Sequence, residues 1–150
     1  MSSVQQQAVI QPTGINHLGI AVRSIAEVRD YYESVLGAAF EGIEEVPDQK
    51  VRVAFYRIGA GEASMRLELL EPTADDSPIA KFLETRGPGL HHIAFTVDSL
   101  EERLSALRRE GLRLIDEEPR LGAHQTKIAF LHPKTSAGIL TELCEPAKDR

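Results

Sequence analysis

Two histidines and two glutamates recur at equivalent places in the two halves of this chain. Glu68 follows His17 by 51 residues, and Glu142 follows His92 by 50. Two imidazoles and two carboxylates suit a divalent transition-metal ion, with positions left open for water or substrate. The sequence contains no HExxH, CxxC or P-loop motif that would point to another chemistry. We therefore predict that these four side chains meet around one metal ion.

The recurrence belongs to an internal duplication that runs through most of the chain. Residues 15–24 align with residues 90–99, with a histidine, a valine and a serine in register. An Ala-Phe pair follows each histidine by 37 residues, and Glu-Leu-x-Glu-Pro occurs at 68–72 and again at 142–146. Matching segments that occur in the same order in both halves indicate a tandem repeat.

Each half has the same predicted order of elements. A strand over 15–22 precedes a helix, because Ser24 and Glu27 form a capping box and apolar residues then recur at helical spacing as far as Gly37. Ser99 and Glu102 begin the equivalent helix. Three strands follow each helix: 40–45, 50–58 and 64–70 in the first half, and 113–117, 127–132 and 139–144 in the second. The predicted fold class is α+β, with two tandem β-α-β-β-β modules.

The predicted domain organisation follows from this repeat. Residues 1–14 have a Gln-rich stretch, Pro12 and Gly14, which favours a flexible N-terminal extension. A single metal-binding domain spans 15–146, with module 1 at about 15–72 and module 2 at about 90–146. Ser77 and Pro78 begin a linker helix at about 77–86.

The duplication explains why the four residues should meet. Four strands do not close a core alone, so the two modules are expected to join their sheets across a pseudo-two-fold axis. His17 and Gly19 share one strand face, where the small glycine leaves room for another group. Because neighbouring strand residues face opposite ways, only one of His91 and His92 is expected to enter the site. The repeat selects His92.

Composition excludes several classes of partner. The net charge of −6 argues against nucleic acid, and no apolar run reaches the length needed to cross a membrane. The single cysteine, Cys144, fits a reducing compartment and a buried structural thiol. The first fourteen residues contain no Lys or Arg and so resemble no targeting peptide. A cytoplasmic location is expected.

Several segments resemble the methylmalonyl-CoA epimerase family of the vicinal oxygen chelate (glyoxalase) superfamily. They are 68–72 (ELLEP), 89–94 (GLHHIA), 122–124 (GAH), 130–134 (FLHPK) and 138–143 (GILTEL), within a resemblance that covers 15–146. The resemblance implies a curved-sheet domain, a CoA thioester substrate and a homodimer. It also implies a divalent metal ion, with Co²⁺ favoured and Mn²⁺, Zn²⁺ or Ni²⁺ as alternatives.

The implied reaction interconverts (2R)- and (2S)-methylmalonyl-CoA. Removal of the α-proton requires stabilisation of the developing enolate, which a chelated metal ion supplies. The resemblance supports Glu142 as the catalytic base, and Lys134 and Gln49 as substrate-binding residues. Exchange on both faces of the α-carbon requires a second acid/base group, or one group and a water.

The second acid/base group is left open by the sequence. Many members of the family carry a glutamate where this chain has Val53, which cannot carry a proton. Glu68, a metal-bound water and Gln49 are the alternatives. Some members carry glutamine in place of Glu68, and a glycine is common at the position of Gln125.

Three other functions use the same fold. A glyoxalase I-type lyase has a similar ligand set, but its usual Asp-Pro-x-Gly segment is replaced here by residues 133–138. A non-catalytic small-molecule binding protein generally lacks the four ligands. An extradiol-type iron dioxygenase needs two histidines and one carboxylate, so Glu68 would be a surplus ligand. The epimerase is therefore the favoured prediction.

Overall fold

The computed structural model describes residues 7–148, which form eight strands and three α-helices. Module 1 contains β1 (Gly14–Ala21), α1 (Ile25–Asp30, continued by a π-helical turn over Tyr31–Val35), β2 (Ala39–Val46), β3 (Val51–Ile58) and β4 (Met65–Pro72). The linking helix is α2 (Pro78–Arg86). Module 2 contains β5 (Gly89–Thr96), α3 (Leu100–Arg109), β6 (Arg120–Leu121), β7 (Lys127–Leu131) and β8 (Thr141–Glu145).

All eight strands belong to one sheet, in the order β2-β3-β4-β1-β5-β8-β7-β6. The first strands of the two modules, β1 and β5, pair antiparallel at its centre. Each of them also pairs in parallel with the last strand of its own module, β1 with β4 and β5 with β8. This arrangement confirms the predicted α+β fold and the duplication, with the pseudo-two-fold axis between β1 and β5.

The helices lie where the capping signals predicted them. Ser24 and Ser99 accept a hydrogen bond from the backbone N–H three residues later and so cap α1 and α3. The carboxylates of Glu71 and Glu145 accept from the first N–H of α1 and α3, at 2.8 and 2.9 Å. The second glutamate of each Glu-Leu-x-Glu-Pro segment therefore holds a helix N-terminus, where a negative charge is stabilising. No helix within residues 7–148 is long and apolar enough to cross a membrane.

Alternation along the strands separates the packed face of the sheet from the site. Leu67 and Leu69 on β4 pack in the cluster beneath α1, and Leu143 on β8 packs in the cluster beneath α3. Their neighbours Glu68 and Glu142 therefore point to the opposite face of the sheet. That face, inward to both modules, encloses a cavity.

The strand predicted over 113–117 is wrong. Leu114 makes only an isolated bridge with Leu131, and the first strand after α3 is the two-residue β6. The side chain of Asp116 accepts a hydrogen bond from the backbone N–H of Phe130 at 2.8 Å. The N–H of Phe130 therefore binds a side chain, whereas in a regular ladder it would bind a backbone carbonyl of the neighbouring strand. The strand pairing does not continue at this point.

The described residues before module 1 and the linker between the modules both pack against the domain. Residues 1–6 of the predicted flexible extension lie outside the described residues. Within the remainder, Val9 and Ile10 pack against the cluster beneath α3, and Arg103 donates to the carbonyl of Val9 at 2.9 Å. The predicted linker helix is confirmed as α2, with Ser77 as its N-cap.

Candidate metal centre

Four buried side chains from the central strands form the site. His17 lies on β1, Glu68 on β4, His92 on β5 and Glu142 on β8, and none is more than 8% exposed. One ligand atom from each of His17, His92 and Glu142 lies within 4.8 Å of the other two. The Nε2 of His17 is 3.0 Å from the Nε2 of His92 and 3.3 Å from the Oε2 of Glu142.

Glu68 lies on the other side of the His17 ring. Its Oε2 is 3.0 Å from the Nδ1 of His17, whereas the group of converging atoms is formed by the other three residues. The structure therefore brings Glu68 into contact with the cluster without placing it at the common point. Its predicted role as a fourth ligand stays a prediction.

Gly19 makes room for the His92 imidazole. It is the direct partner of His92 in the β1–β5 ladder, and a Cβ on Gly19 would lie 2.1 Å from the Cε1 of His92. The space that the small residue was expected to leave is thus filled by the second histidine. The equivalent residue of module 2, Ala94, lies opposite His17.

Each central strand has an extra residue immediately before its histidine. The β1–β5 register shifts at Asn16 and again at His91, and neither residue has a partner in the ladder. The side chains of both nevertheless reach the site: the Oδ1 of Asn16 is 2.7 Å from the Nδ1 of His17, and the Nδ1 of His91 is 2.9 Å from the Nδ1 of His92. The prediction that only one of His91 and His92 can enter the site is wrong, because a bulge interrupts strict alternation.

Burial sets the charge preference of the cluster. It lowers the pKa of His17 to about 3, with help from Arg66, and lowers the pKa of His92 well below its usual value. It raises the pKa of Glu68 to about 8, and it raises the pKa of Glu142 well above its usual value, with help from the charge of Glu68. The imidazoles are therefore neutral, as metal binding requires, and the positive charges of Arg66 and Arg120 compensate the burial of the two carboxylates only in part.

These groups fit a divalent metal ion. The Oε2 of Glu142 is buried and has no hydrogen-bond partner among residues 7–148, although such oxygens are normally paired. The Nε2 atoms of His17 and His92, 3.0 Å apart, are close enough for one ion to reach both. A cation at the common point would pair the orphaned oxygen and neutralise the buried carboxylates.

The site opens into a cavity of about 500 Å³ that both modules line. Besides the two glutamates of the cluster, the charged groups that line the cavity are the guanidinium groups of Arg66 and Arg120 and the carboxylate of Asp48. Much of the remaining wall is apolar: Val46, Val51, Val53, Phe55, Leu70, Ile79, Ile115, Ile128, Phe130 and Leu140. The cavity can therefore take a ligand with an anionic group and a hydrophobic portion.

The predicted substrate residues lie in different places. Gln49 lines the cavity, whereas Lys134 is exposed and lies outside its lining. Val53 lines the cavity as a buried aliphatic side chain, so no proton can be carried there. Sequence reasoning overlooked Arg66 as a cavity residue, although it shares a strand face with Glu68.

A turn from module 2 completes the cavity on the side of module 1. His124, in the 3₁₀ turn Ala123–Gln125, packs its ring 4.2 Å from that of Phe55 on β3. Its Nε2 is 3.5 Å from the Oε2 of Glu44 on β2. His124 and Gln125 both have positive φ, 56° and 60°, which explains why glycine suits the position of Gln125. This strained turn brings an imidazole to the cavity wall.

The chain matches known proteins along most of its length. Residues 16–130 match the family model described as glyoxalase/bleomycin resistance protein/dioxygenase superfamily. An uncharacterised Bacillus subtilis protein, YqjC, is 51% identical over 136 residues, which are 91% of this chain and 94% of that protein. Human mitochondrial methylmalonyl-CoA epimerase is 36% identical over 130 residues, 86% of this chain and 72% of that enzyme.

A solved structure agrees with these similarities. A variant of Streptomyces coelicolor methylmalonyl-CoA epimerase in complex with 2-nitronate-propionyl-CoA superimposes with a TM-score of 0.86 at 36% identity. The match covers 92% of this chain and all of that one. The chain therefore belongs to the glyoxalase superfamily, and within it to the family of the methylmalonyl-CoA epimerases.

We predict that Gly19→Ala weakens metal binding by more than about tenfold, since the added Cβ displaces the His92 imidazole. Competition with a chromophoric chelator measures the affinity. Gly14→Ala is the matched control, because it lies on the same strand with no atom within 4 Å of the new Cβ. Equal affinities of the two variants would contradict the placement of His92.

We predict that Glu68→Gln stabilises the metal-free protein increasingly from pH 6.5 to 8.5. The pKa of Glu68 in the folded protein, about 8, exceeds the ordinary value of 4.5, so the stabilising contribution of Glu68 is full at low pH and is lost as the pH rises through 8. Glutamine does not ionise, so the variant avoids this loss of unfolding free energy, which is on the order of 2 to 4 kcal/mol at pH 8.5. The parent protein and the variant carry the same buried histidines, so the comparison removes most of the contribution of these groups to the pH dependence.

Urea unfolding of chelator-treated protein measures this effect. The control is Glu62→Gln, on the exposed turn between β3 and β4. A pH-independent difference between Glu68→Gln and the parent protein would contradict the prediction. Metal titration of Glu68→Gln and Glu142→Gln then ranks the two carboxylates, and we expect the larger loss of affinity for Glu142→Gln.

Proposed function

We propose that this protein interconverts (2R)- and (2S)-methylmalonyl-CoA by exchange of the α-proton. The observation that carries the proposal is the convergence of His17, His92 and Glu142 at a cavity that takes an anionic and partly hydrophobic ligand. The family membership supplies the substrate, because related enzymes of known structure hold methylmalonyl-CoA or a propionyl-CoA analogue.

His17, His92 and Glu142 would hold the metal ion, with Glu68 as a fourth ligand. The bound ion would supply positive charge beside the thioester oxygen and so favour loss of the α-proton. The resemblance favours Co²⁺, and a mixed histidine and carboxylate donor set also accepts Mn²⁺, Zn²⁺ or Ni²⁺. The same resemblance supports a homodimer, and the cytoplasmic location expected from the N-terminal residues stays a prediction.

Glu142 acts as the base in this proposal. Burial raises the pKa of its carboxyl group well above the usual value, so the ionised form is a stronger proton acceptor than an exposed glutamate. Arg66 and Gln49 line the same cavity and would orient the substrate carboxylate. Lys134, which is exposed outside the cavity, suits only the distant phosphates of CoA.

His124 is our candidate for the second acid/base group. Glu142 belongs to β8 of module 2, whereas His124 lies against β2 and β3 of module 1, beside the position where Val53 offers no proton. Phe55, on which the imidazole packs, is the ladder partner of Glu68. Three other ionisable side chains outside the metal cluster could exchange a proton in the cavity: His91 contacts His92, Cys144 is buried with its pKa raised to about 12, and Asp48 is exposed in the turn after β2. His124 is exposed enough to exchange its proton with water.

Activity is tested by incubating metal-loaded protein with each epimer in deuterated water. We expect α-proton exchange by NMR and interconversion of the two epimers. Glu142→Gln should abolish interconversion, whereas Glu145→Gln, which removes a helix-capping charge outside the cluster, should retain it. Absence of exchange with Co²⁺, Mn²⁺ and Zn²⁺ alike would refute the epimerase function.

The role of His124 is tested by the same exchange with each epimer separately. If His124 and Glu142 act on opposite faces of the α-carbon, His124→Gln should retain α-proton exchange in one epimer. The rate of interconversion should fall by roughly two orders of magnitude. His132→Gln, which changes an exposed histidine outside the cavity, is the control. Normal interconversion by His124→Gln, or an equal loss of exchange from both epimers, would contradict the assignment.

A further inference from the structure

Four side chains form a continuous line of close contacts through the metal centre. The Oδ1 of Asn16 is 2.7 Å from the Nδ1 of His17, and the Nε2 atoms of His17 and His92 are 3.0 Å apart. The Nδ1 of His92 is then 2.9 Å from the Nδ1 of His91. The two outer members of this line, Asn16 and His91, are the two bulge residues of the central strands.

The chemistry of Asn16 sets the direction of these hydrogen bonds. The Nδ1 of His17 faces two oxygens, the Oδ1 of Asn16 at 2.7 Å and the Oε2 of Glu68 at 3.0 Å. An amide oxygen only accepts, so this Nδ1 carries the hydrogen and the Nε2 of the neutral ring carries a lone pair. Two lone pairs do not face each other at 3.0 Å, so in the metal-free protein the Nε2–H of His92 donates to His17. The Nδ1 of His92 is then bare and accepts from the Nδ1–H of His91.

A metal ion changes the requirement at His92 but not at His17. Both Nε2 atoms must present lone pairs to an ion at the common point, and His17 already does so. His92 must move its hydrogen from Nε2 to Nδ1. The Nδ1 proton of His91 can shift along the hydrogen bond to His92, while the Nε2 of His92 releases a proton to solvent and the Nε2 of His91 takes one up. Both rings stay neutral, and the pair releases no net proton.

The residue types of the two bulges decide which histidine can adapt. The Asn16 oxygen cannot donate, so it fixes His17 in one tautomer. The His91 imidazole can donate or accept, so it can follow His92 from one tautomer to the other. Phe82 of α2 packs edge-on against His91, with ring centroids 5.0 Å apart, and so holds the imidazole beside His92.

We propose that Asn16 and His91 are positioning residues of the metal centre: Asn16 fixes His17 as a ready ligand, and His91 exchanges tautomer together with His92 when the ion binds. The proposal rests on His17 and His92 being ligands, as proposed above, but not on the identity of the substrate. Partners of this kind orient ligating histidines and strengthen metal binding.

Long-range ¹H–¹⁵N NMR of the histidine rings, with and without Zn²⁺, tests the tautomers. The rings are assigned with single His→Asn variants. We expect His17 to be Nδ1–H in both states, His92 to change from Nε2–H to Nδ1–H, and His91 to change from Nδ1–H to Nε2–H. A His92 ring that is already Nδ1–H without zinc, or a His91 ring that does not change, would overturn the proposal.

Metal affinity supplies a second readout that needs no substrate. His91→Leu and Asn16→Leu should each weaken zinc binding by roughly 10- to 100-fold, and the acceptors retained in His91→Asn and Asn16→Asp should restore most of it. His132→Leu is the control, with unchanged affinity. Equal affinity of the Leu variants and the parent protein would overturn the positioning roles.

Failure of this inference is distinguishable from failure of the proposed function. If zinc perturbs none of the three rings, the metal centre and the positioning roles are both refuted, whereas the exchange assay still reports on epimerisation. If zinc binds and the tautomers behave as expected but no epimer exchanges its α-proton, the epimerase function alone is refuted.

Discussion

The structure depends on the burial of two imidazoles and two carboxylates at the joint between its two halves. Groups of this kind are costly inside a protein unless something compensates them. Here the antiparallel pairing of β1 with β5 places His17 and His92 ring to ring, and the parallel partners β4 and β8 add one glutamate each. Helices α1 and α3 pack on the outer face of the sheet, whereas α2 packs beside the site and contributes Ile79 to the cavity wall.

Duplication gives this site a near-symmetry that its residues then break. Equivalent bulges precede both histidines, yet one carries an amide and the other an imidazole. The equivalent glutamates also differ, because Glu142 joins the converging group and Glu68 contacts the far side of His17. One half of the centre is therefore fixed, and the other half can respond to what binds.

The repeat pattern was sufficient to predict the fold, the four central residues and the choice of His92. It failed where geometry depends on a local irregularity. Strict alternation excluded His91, because a bulge leaves no mark in apolar periodicity. The strand expected at 113–117 is displaced by the hydrogen bond of Asp116, which is visible only in three dimensions. His124 lies in the resembling segment 122–124, but its approach to the cavity depends on a left-handed turn that the segment does not reveal. Arg66 belongs to no motif.

The glutamates that cap α1 and α3 have a mechanical consequence. Each lies three residues after a site glutamate on the same strand, Glu71 after Glu68 and Glu145 after Glu142. The strand segment between the two glutamates joins the buried centre to the N-terminus of a helix on the outer surface. The N-terminus of each surface helix is therefore held by the same strand that carries a site glutamate, so a shift of that strand would reach the helix within three residues.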